Sequence, residues 1–474
     1  MLIESYNVPM EEHSRVVETM RKELADAFSQ GQRVRFQKNG TNSTRGEGVV
    51  SEEFVAIDIS GLDRVLSIHT DELYVDVEPR VPMDVLVRKT LKYGLVPAVV
   101  PEFPGITVGG AIQGGALESS SFRFGQFNDS VTEAELLLAD GTHIVATPEN
   151  DYADLFWGIS TSYGSLAVVT RVRLRLLPAQ PYVQLSFRVF DSPDACATAL
   201  LEASPAYDFA EGIVFSRTKA VAVFGKQVAE HDRKVYRFLR NIDPWYYRFV
   251  RDVKDPIVVP LEDYLFRYDK GAFWMGEYLF PLFGLSSNVI TRLLFAPFLR
   301  TRKLYDGLSE LGLAGEFVIQ DFYLNRTDVD TFLRYNESGP QIYPLWLCPI
   351  RSASTPQKLS SHYRTKPTML LNLGIYGRPK NGSAVSVTKE LERLVSESGK
   401  SRKMLYALTF MEELDFWNSY DRAWYDGLRE KYRAKPFRTV YQKIHSTAPP
   451  DPHRFRGILR VLLQTMRGKN IAWW

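Results

Sequence analysis

The stretch from Pro104 to Ser121 holds the residues of this sequence that are best suited to bind a charged ligand. It contains five glycines together with Thr107 and three serines, so it offers backbone N–H groups and hydroxyls without bulky side chains. Successive N–H groups in such a loop can hold an anion, for example a pyrophosphate. The P-loop and the usual dinucleotide motif are both missing here. Taken alone, the segment leaves two interpretations open: a phosphate-binding loop, or tight bends and close helix packing.

A second group of small donors precedes this segment by about 65 residues. It consists of Gly40, Thr41, Asn42 and Ser43, and it follows a predicted strand at 33–36. Two loops of this kind within one domain favour the phosphate-binding interpretation.

Helix and strand patterns alternate around these loops. They fall at 11–30, 33–36, 73–78, 82–93 and 168–176. Asp140-Gly141, between the apolar runs 135–139 and 142–146, is a strong hairpin signal. We therefore predict that residues 1–180 form one α+β domain.

The remaining residues divide into three parts. Residues 181–400 begin with a strand-like stretch and are rich in Trp, Tyr and Phe with frequent proline. Residues 401–446 return to α+β patterning, with Tyr406 in an apolar, strand-like run. The tail 447–474 interleaves basic and apolar residues and ends in Trp473-Trp474. This pattern fits a basic amphipathic helix at a membrane interface, or one that packs on its own domain or across a homodimer.

Composition excludes several classes of function. The chain has 474 residues and a formal net charge of +2, which gives no reason to expect nucleic acid binding. Its two cysteines form neither a disulfide framework nor a metal-ligand spacing, so we expect no metal. We predict no signal peptide, because the first residues show no basic region followed by an apolar stretch. We also predict no transmembrane segment, because the best uncharged stretch, 278–291, is shorter than the roughly 20 residues that span a bilayer.

Short motifs in a fixed order connect the chain to a known superfamily. They are Lys38-Asn-Gly-Thr-Asn-Ser-Thr44, Thr107-Val-Gly-Gly110, Ala139-Asp-Gly141, Asp154-Leu-Phe-Trp157 and Val168-Val-Thr170. In this order they resemble the FAD-binding domain of the vanillyl-alcohol oxidase and p-cresol methylhydroxylase (PCMH) superfamily.

Further motifs narrow the resemblance to one group. They are Glu118-Ser-Ser-Ser121, Tyr343-Pro-Leu-Trp-Leu-Cys-Pro349, Gly374-Ile-Tyr-Gly377, Met404-Leu-Tyr-Ala407 and Leu428-Arg-Glu-Lys431. Through them the chain is most similar to the Δ24-sterol reductases, over about residues 15–445.

The resemblance implies a PCMH-type FAD-binding domain of two α+β subdomains, with an α+β cap over 181–400 that holds substrate. The segment 401–446 would return to the flavin. The pyrophosphate would lie on Gly40, Thr41, Asn42 and Ser43. The residues that would line the remainder of the FAD are Glu102, Phe103, Thr107, Gly109, Gly110, Gly114, Ser119 and Ser120 on the flavin side, and Gly164 and Val169 near the adenine.

Departures from the superfamily refine these expectations. Relatives with covalent flavin commonly carry His where this chain has Asn42, and no cysteine lies near the glycine segment, so we expect FAD to be non-covalent. Polyprenyl-phosphoribose oxidases carry His-Gly-Lys where this chain has Leu117-Glu118-Ser119, which weakens a sugar-oxidase interpretation. The animal and plant reductases begin with a membrane-spanning stretch. This sequence shows no such stretch, so we expect at most peripheral attachment on the cytoplasmic side, at the endoplasmic reticulum in a eukaryote.

The implied reaction needs a hydride on one alkene carbon and a proton on the other. The resemblance implies NADPH as the electron donor, with the hydride passing through FAD, and the protein then supplies an acid. Our candidates for this catalytic acid are Tyr406 and Glu118. Each has a structural alternative: Tyr406 as a core residue, and Glu118 as an acceptor of a local hydrogen bond.

Three functions stay open at this point. The first is an FAD-dependent Δ24 reductase of sterols, an oxidoreductase acting on a CH–CH group. The second is a flavin oxidase or dehydrogenase of the same fold that acts on another lipid, alcohol or isoprenoid. The third is a sterol-binding flavoprotein with little turnover.

Overall fold

The computed structural model describes residues 7–37, 53–282, 284–304 and 313–446. The α-helices of these ranges are Asn7–Ser29, Met83–Leu91, Val108–Gly114, Ser121–Phe124, Ala153–Ile159, Pro193–Ala203, Tyr246–Asp252, Leu261–Leu265, Leu279–Leu282, Val289–Leu294, Arg326–Ser338, Ala384–Ser398, Glu413–Ser419, Arg422–Lys431 and Val440–Ile444. The predicted pyrophosphate turn at 40–43 and the predicted tail helix at 447–474 lie outside the described residues.

The first sheet is antiparallel and six-stranded. Its strands in spatial order are Val65–His69, Tyr74–Val77, Val168–Pro178, Val131–Leu137 and His143–Ala146, with Leu95–Pro97 pairing on the far part of Val168–Pro178. The predicted hairpin around Asp140-Gly141 is confirmed: Leu136 pairs with Ile144, and Gly141 turns the chain at φ 82°. A separate parallel pair joins Arg33–Gln37 to Phe54–Asp58.

The second sheet is also antiparallel and has eight strands. In spatial order they are Ile257–Pro260, Tyr182–Phe190, Lys219–Val228, Phe209–Ser216, Leu345–Arg351, Met369–Gly377, Val318–Leu324 and Arg402–Lys403. The chain leaves the first sheet at Pro178 and enters the second at Tyr182. The last strand of the second sheet belongs to the segment after residue 400, so this segment completes the second sheet. The chain then returns toward the first sheet. The mixture of helices with antiparallel sheets confirms the α+β class.

One expectation about the returning segment is wrong. The apolar run 403–410 was expected to be strand-like, but the strand stops at Lys403 and Tyr406 lies in a turn. Its hydroxyl donates a hydrogen bond to a buried carboxylate on the neighbouring strand, and the turn directs it there. The backbone conformation of residues 403–410 is therefore set by tertiary contacts and not by local strand propensity.

The two sheets share one hydrophobic core. It contains side chains of the first sheet such as Leu174, side chains of the second such as Ile213, and the aromatic residues between them. The runs 245–247 and 273–275, which are rich in aromatic residues, are buried in this core. By contrast, Leu293 and Leu294 are exposed.

Candidate active site

The glycine segment forms the short helix Val108–Gly114, which Thr107 caps. Thr107 Oγ1 accepts the N–H of Gly110 at 3.2 Å. Gly109 packs against Pro79: its N–H donates to the Pro79 carbonyl at 2.8 Å, and a Cβ here would lie 2.7 Å from Pro79 Cβ. Of the two interpretations of the segment, close packing accounts for Gly109.

Gly110 and Gly114, in contrast, leave bare backbone on this helix. Gly110 is exposed, and a Cβ added to Gly114 would meet no atom within 4 Å. Gly115 ends the helix in the left-handed region at φ 66°. Beside it lies the buried side chain of Gln126, whose Oε1 has no hydrogen-bond partner among the described residues. Open backbone beside an unpartnered buried acceptor fits a ligand that lies against this segment.

The loop that carries Gly164 is held against the same helix in a strained conformation. Thr161, Tyr163 and Gly164 all have positive φ, at 61°, 54° and 66°. The Gly164 N–H donates to Gln113 Oε1 at 2.9 Å, and Lys443 Nζ donates to the Gly164 carbonyl at 2.8 Å. Strain that is fixed by several contacts is typical of a functional loop.

The end of the strand Arg33–Gln37 also reaches this loop. A Cβ on Gly164 would lie 3.6 Å from the Phe36 ring, and Phe36 belongs to the strand that leads into the predicted pyrophosphate turn. Val169 lies in the strand Val168–Pro178 and is buried, paired with Leu136.

Glu118 and Glu211 share one arginine in what we call the Arg267 cluster. Arg267 donates from Nη2 to Glu118 Oε1 and from Nε to Glu211 Oε1, both at 2.8 Å, and all three side chains are buried. Tyr246, Tyr268 and Trp346 also donate to Glu211. Burial alone would raise the pKa of Glu211, but Arg267 and these hydrogen bonds lower it.

Glu118 ties the glycine segment to the second sheet through this cluster. The Ser119 N–H and hydroxyl both donate to Glu118, and Tyr264 donates to Ser119 Oγ at 3.0 Å. Burial and the charge of Glu211 raise the pKa of Glu118, although Arg267 opposes them. Ser120 donates to the Ala98 carbonyl at 2.8 Å.

A second buried carboxylate, Asp321, is surrounded by neutral donors in what we call the Asp321 cluster. Tyr406 donates to its Oδ2 at 2.7 Å, Tyr376 to its Oδ1 at 2.8 Å and Asn372 to its Oδ1 at 2.6 Å. No cation pairs with Asp321 within the described ranges. Burial raises the pKa of Asp321, and the three hydrogen bonds offset only part of this effect.

Glu102 lies within electrostatic reach of both clusters. Burial, then the charge of Glu118 and that of Asp321, raise the pKa of Glu102 to about 8. Its neighbour Phe103 packs edge-on against Phe273 at 5.7 Å between ring centroids. Glu102, Glu118 and Asp321 all have a raised pKa, so these three carboxyls favour retention of a proton.

A third polar contact joins the two sheets near Gln126. His362 is fully buried and its Nε2 lies 2.7 Å from Asp129 Oδ2, while its Nδ1 has no partner within the described residues. Gln357 also donates to Asp129, at 2.6 Å. The sequence analysis assigned His362 no role.

Sequence reasoning missed Asp321, Glu211 and Arg267. For the first two a signal exists, since each is the single charged residue in an otherwise apolar strand, Val318–Leu324 and Phe209–Ser216. A charge buried in this way needs partners or a function. Arg267 follows a short helix and carries no comparable pattern.

The bare backbone at Gly110 and Gly114, the held loop at Gly164 and the unpartnered acceptor of Gln126 fit a flavin nucleotide. A family model described as an FAD binding domain matches residues 14–147, which include the glycine segment. The protein is an FAD-dependent oxidoreductase.

Similarity over a longer range defines the family. The chain is 30% identical over 400 residues to the Δ24-sterol reductases of Macaca fascicularis and of Homo sapiens, covering 81% of this chain and 76% of each relative. A decaprenylphosphoryl-β-D-ribose oxidase of Mycolicibacterium smegmatis is 32% identical over 141 residues, 30% of this chain and 29% of that one. The chain belongs to the Δ24-sterol reductase family.

Two kinds of feature are absent from the described residues. None of their helices combines the length and the apolar character needed to cross a bilayer. Nor do these residues bring three His, Cys, Asp or Glu side chains together in a way that would hold a metal ion.

Proposed function

We propose that the protein reduces the Δ24 side-chain double bond of a sterol, with NADPH as electron donor and non-covalent FAD. The observation that carries this proposal is the Asp321 cluster, which joins Tyr406 to a buried carboxyl of raised pKa beside the glycine segment. Alkene reduction requires a proton at the carbon that does not receive the hydride. An oxidase that removes hydrogen from an alcohol needs a base instead.

In this proposal, bound FAD supplies the hydride. Residues that would hold the nucleotide are Thr107, Gly109, Gly110, Gly114, Ser119, Ser120, Glu102, Phe103, Gly164 and Val169, together with Gly40, Thr41, Asn42 and Ser43. We assign Gly109 a packing role among them, since Pro79 fills the space in front of it.

Tyr406 is the proposed proton donor. We propose that Asp321 carries a proton before the reaction: as the Tyr406 hydroxyl gives its proton to the substrate carbon, Tyr406 Oη accepts the Asp321 proton across the same 2.7 Å contact, and Asp321 is left as the carboxylate to which Tyr406 and Tyr376 donate. Burial keeps a proton on Asp321 more readily than water would, and Glu102 adds a second carboxyl that is protonated at neutral pH. Asp321 is buried, and Tyr406 and Glu102 are half-buried, so the proposed proton donors lie at the boundary of the core.

Glu118 is the other candidate for the acid, and we propose a positioning role for it. Its two oxygens already accept hydrogen bonds from Arg267 and from the Ser119 N–H and hydroxyl. Glu118→Gln should therefore weaken the packing of the glycine segment. Tyr406→Phe should lower turnover while FAD stays bound.

Anaerobic mixing tests the function. NADPH should bleach the flavin absorbance, and a sterol with a Δ24 double bond should restore it with formation of the saturated side chain. Rapid recovery of colour in oxygen with peroxide formation would instead identify a flavin oxidase, the activity for which the relative from Mycolicibacterium smegmatis is named. A flavin that neither reagent changes, in a protein that binds sterol, would identify a binding protein.

A pair of glycine variants tests the cofactor site. Gly114→Ala adds a methyl group to open space, so the fold should persist while FAD affinity falls. Gly109→Ala forces a Cβ against Pro79 and should lower thermal stability even without FAD. If Gly114→Ala retained full flavin affinity, the proposed cofactor position would be wrong.

The substrate class has a consequence for location. Sterols reside in bilayers, so the proposed enzyme works peripherally at a membrane. Sedimentation velocity of the purified chain tests the homodimer that the sequence leaves open.

A further inference from the structure

Large apolar side chains are exposed close together on one short segment in the second half of the chain. Of the eleven that are exposed in the described residues, five fall within ten positions. They are Leu285, Val289, Ile290, Leu293 and Leu294, at 37%, 72%, 70%, 48% and 69% exposure. We call these five side chains the apolar tip. Such clustering differs from the scattered single apolar residues that are normal on a soluble surface.

The apolar tip is a defined structure. Its helix, Val289–Leu294, is capped by Asn288, which accepts the Thr291 N–H at 3.0 Å, while Thr291 Oγ1 accepts the Asn288 N–H at 3.0 Å. At its base, the rings of Phe280 and Phe295 pack edge-on with centroids 6.2 Å apart. A helix of six residues is too short to persist by propensity alone, so the cap and this ring contact hold it.

The charges around the apolar tip are mainly basic. From Tyr278 to Leu304 the sequence has four basic residues and no acidic one. Arg300 and Arg302 pair with Asp269 and Asp84. Arg292 and Lys303 form no salt bridge with a carboxylate of the described residues, and Lys303 lies 5.5 Å from the ring of Phe298, just after the helix. Glu277, just before this stretch, pairs with Arg248 at 2.8 Å and also acts on Arg292, but Arg248, Arg292 and Lys303 together leave an excess of positive charge beside the exposed apolar residues.

We propose that the apolar tip inserts into the surface of a lipid bilayer that contains anionic lipids. Aliphatic side chains enter the boundary between headgroups and acyl chains, while Arg292 and Lys303 meet the anionic headgroups. The polar residues Ser286, Ser287 and Asn288 remain at headgroup level. This inference adds a docking surface to the proposed function and does not require that sterol be the substrate.

The size of the apolar tip argues against a second copy of the chain as its occupant. Stable protein interfaces bury about 1,200–2,000 Å² in total, with complementary packing on both sides. Five side chains within ten residues can bury far less area than that. A bilayer needs no such complementarity, so a small projection suffices for it.

Vesicle co-sedimentation of the full chain tests the proposal. The probes are sterol-free vesicles of phosphatidylcholine, with and without phosphatidylserine. The variant Ile290→Asp/Leu294→Asp should lower the partition onto anionic vesicles by about 100-fold, because each charge must leave water. Arg292→Glu/Lys303→Glu should remove the preference for phosphatidylserine.

The matched control is Ile242→Asp/Leu414→Asp. Its two residues are 72% and 75% exposed, and each is remote in sequence from the apolar tip. The control should bind vesicles like the wild type. All three variants should keep their flavin absorbance and sedimentation coefficient, which separates docking from folding and from the proposed reaction.

Three results would overturn the proposal. The wild type could fail to bind either kind of vesicle. The apolar-tip variant could bind as the wild type does, which would assign binding to another surface such as the tail 447–474. The variant could also change the sedimentation coefficient without changing vesicle binding, which would assign the apolar tip to contacts between copies.

Discussion

The molecule contains two buried acidic clusters, and they differ in what surrounds the carboxylates. In the Arg267 cluster a guanidinium bridges Glu118 and Glu211 with two hydrogen bonds of 2.8 Å. In the Asp321 cluster the donors are two phenols and an amide, all neutral. A buried cation fixes negative charge in place, whereas neutral donors leave the carboxyl able to keep or release a proton. The first cluster is therefore suited to structure and the second to proton transfer.

The largest effect should come from Arg267→Met. Two buried glutamates would then lack their cation, which we expect to cost about 3–5 kcal/mol of the free energy of unfolding, seen by chemical denaturation. The control is Arg217→Met, which removes a surface contact of 3.4 Å to Glu337 and should change little. Adding Glu118→Gln and Glu211→Gln to Arg267→Met should restore part of the lost stability. An Arg267→Met protein as stable as the control would refute the structural role of the cluster.

Asp321→Asn should act on catalysis instead. The amide keeps the shape of the side chain but has one acceptor oxygen instead of two and holds no transferable proton, so we expect turnover to fall by about 10²–10⁴-fold. Tyr406→Phe should give a loss of similar order. Both variants should bind FAD, as measured by flavin absorbance. Turnover near that of the wild type in both would remove the Asp321 cluster from the mechanism.

The pH dependence of turnover tests the proposed role of a protonated carboxyl. Burial first, and then the charges of Glu118 and Asp321, raise the pKa of Glu102 to about 8, so its acid form predominates below that pH. At saturating NADPH and sterol, kcat should be level below pH 8 and fall by up to about tenfold per pH unit above it. Glu102→Gln should remove this decline, and the surface variant Glu262→Gln should not. A decline that Glu102→Gln leaves unchanged would mean that another group titrates.

The smallest effect concerns a third cluster, in which the cation itself titrates. His13 lies between Glu78 and Glu135, at 2.7 Å and 2.9 Å. Burial would lower the pKa of His13, but these two carboxylates raise it to about 9 from 6.5. The added stability is present in full below the unfolded value of 6.5 and is lost as pH rises through 9.

Denaturation at several pH values measures this contribution. We expect wild-type stability to fall by about 1–3 kcal/mol between the two pH limits. His13→Gln should flatten the profile, and His231→Gln, on the surface, should leave it as in the wild type. A wild-type profile that is flat between pH 6.5 and 9 would contradict a charged His13.

Local patterns were sufficient for much of the fold. The periodicity of 11–30 anticipated the helix Asn7–Ser29, and Asp140-Gly141 anticipated the hairpin of the first sheet. The order of small motifs led to an FAD-binding domain, which the family match to 14–147 confirms. Each of these signals depends on neighbouring residues, which is why they could be recognised without a structure.

The chemistry of the carboxylates was decided only by the tertiary structure. Glu118 and Asp321 are both buried acidic residues, and the sequence pointed to the first as a catalytic acid and not to the second. What separates them is that Arg267 reaches one and Tyr406 the other, across 149 and 85 residues of sequence. Local spacing alone was enough to predict the helices near 11–30 and 82–93, the Asp140-Gly141 hairpin and the small-residue character of the glycine segment. Only the packing of two sheets decided which acid is paired with a cation, since burial and charge partners arise from residues far apart in the chain.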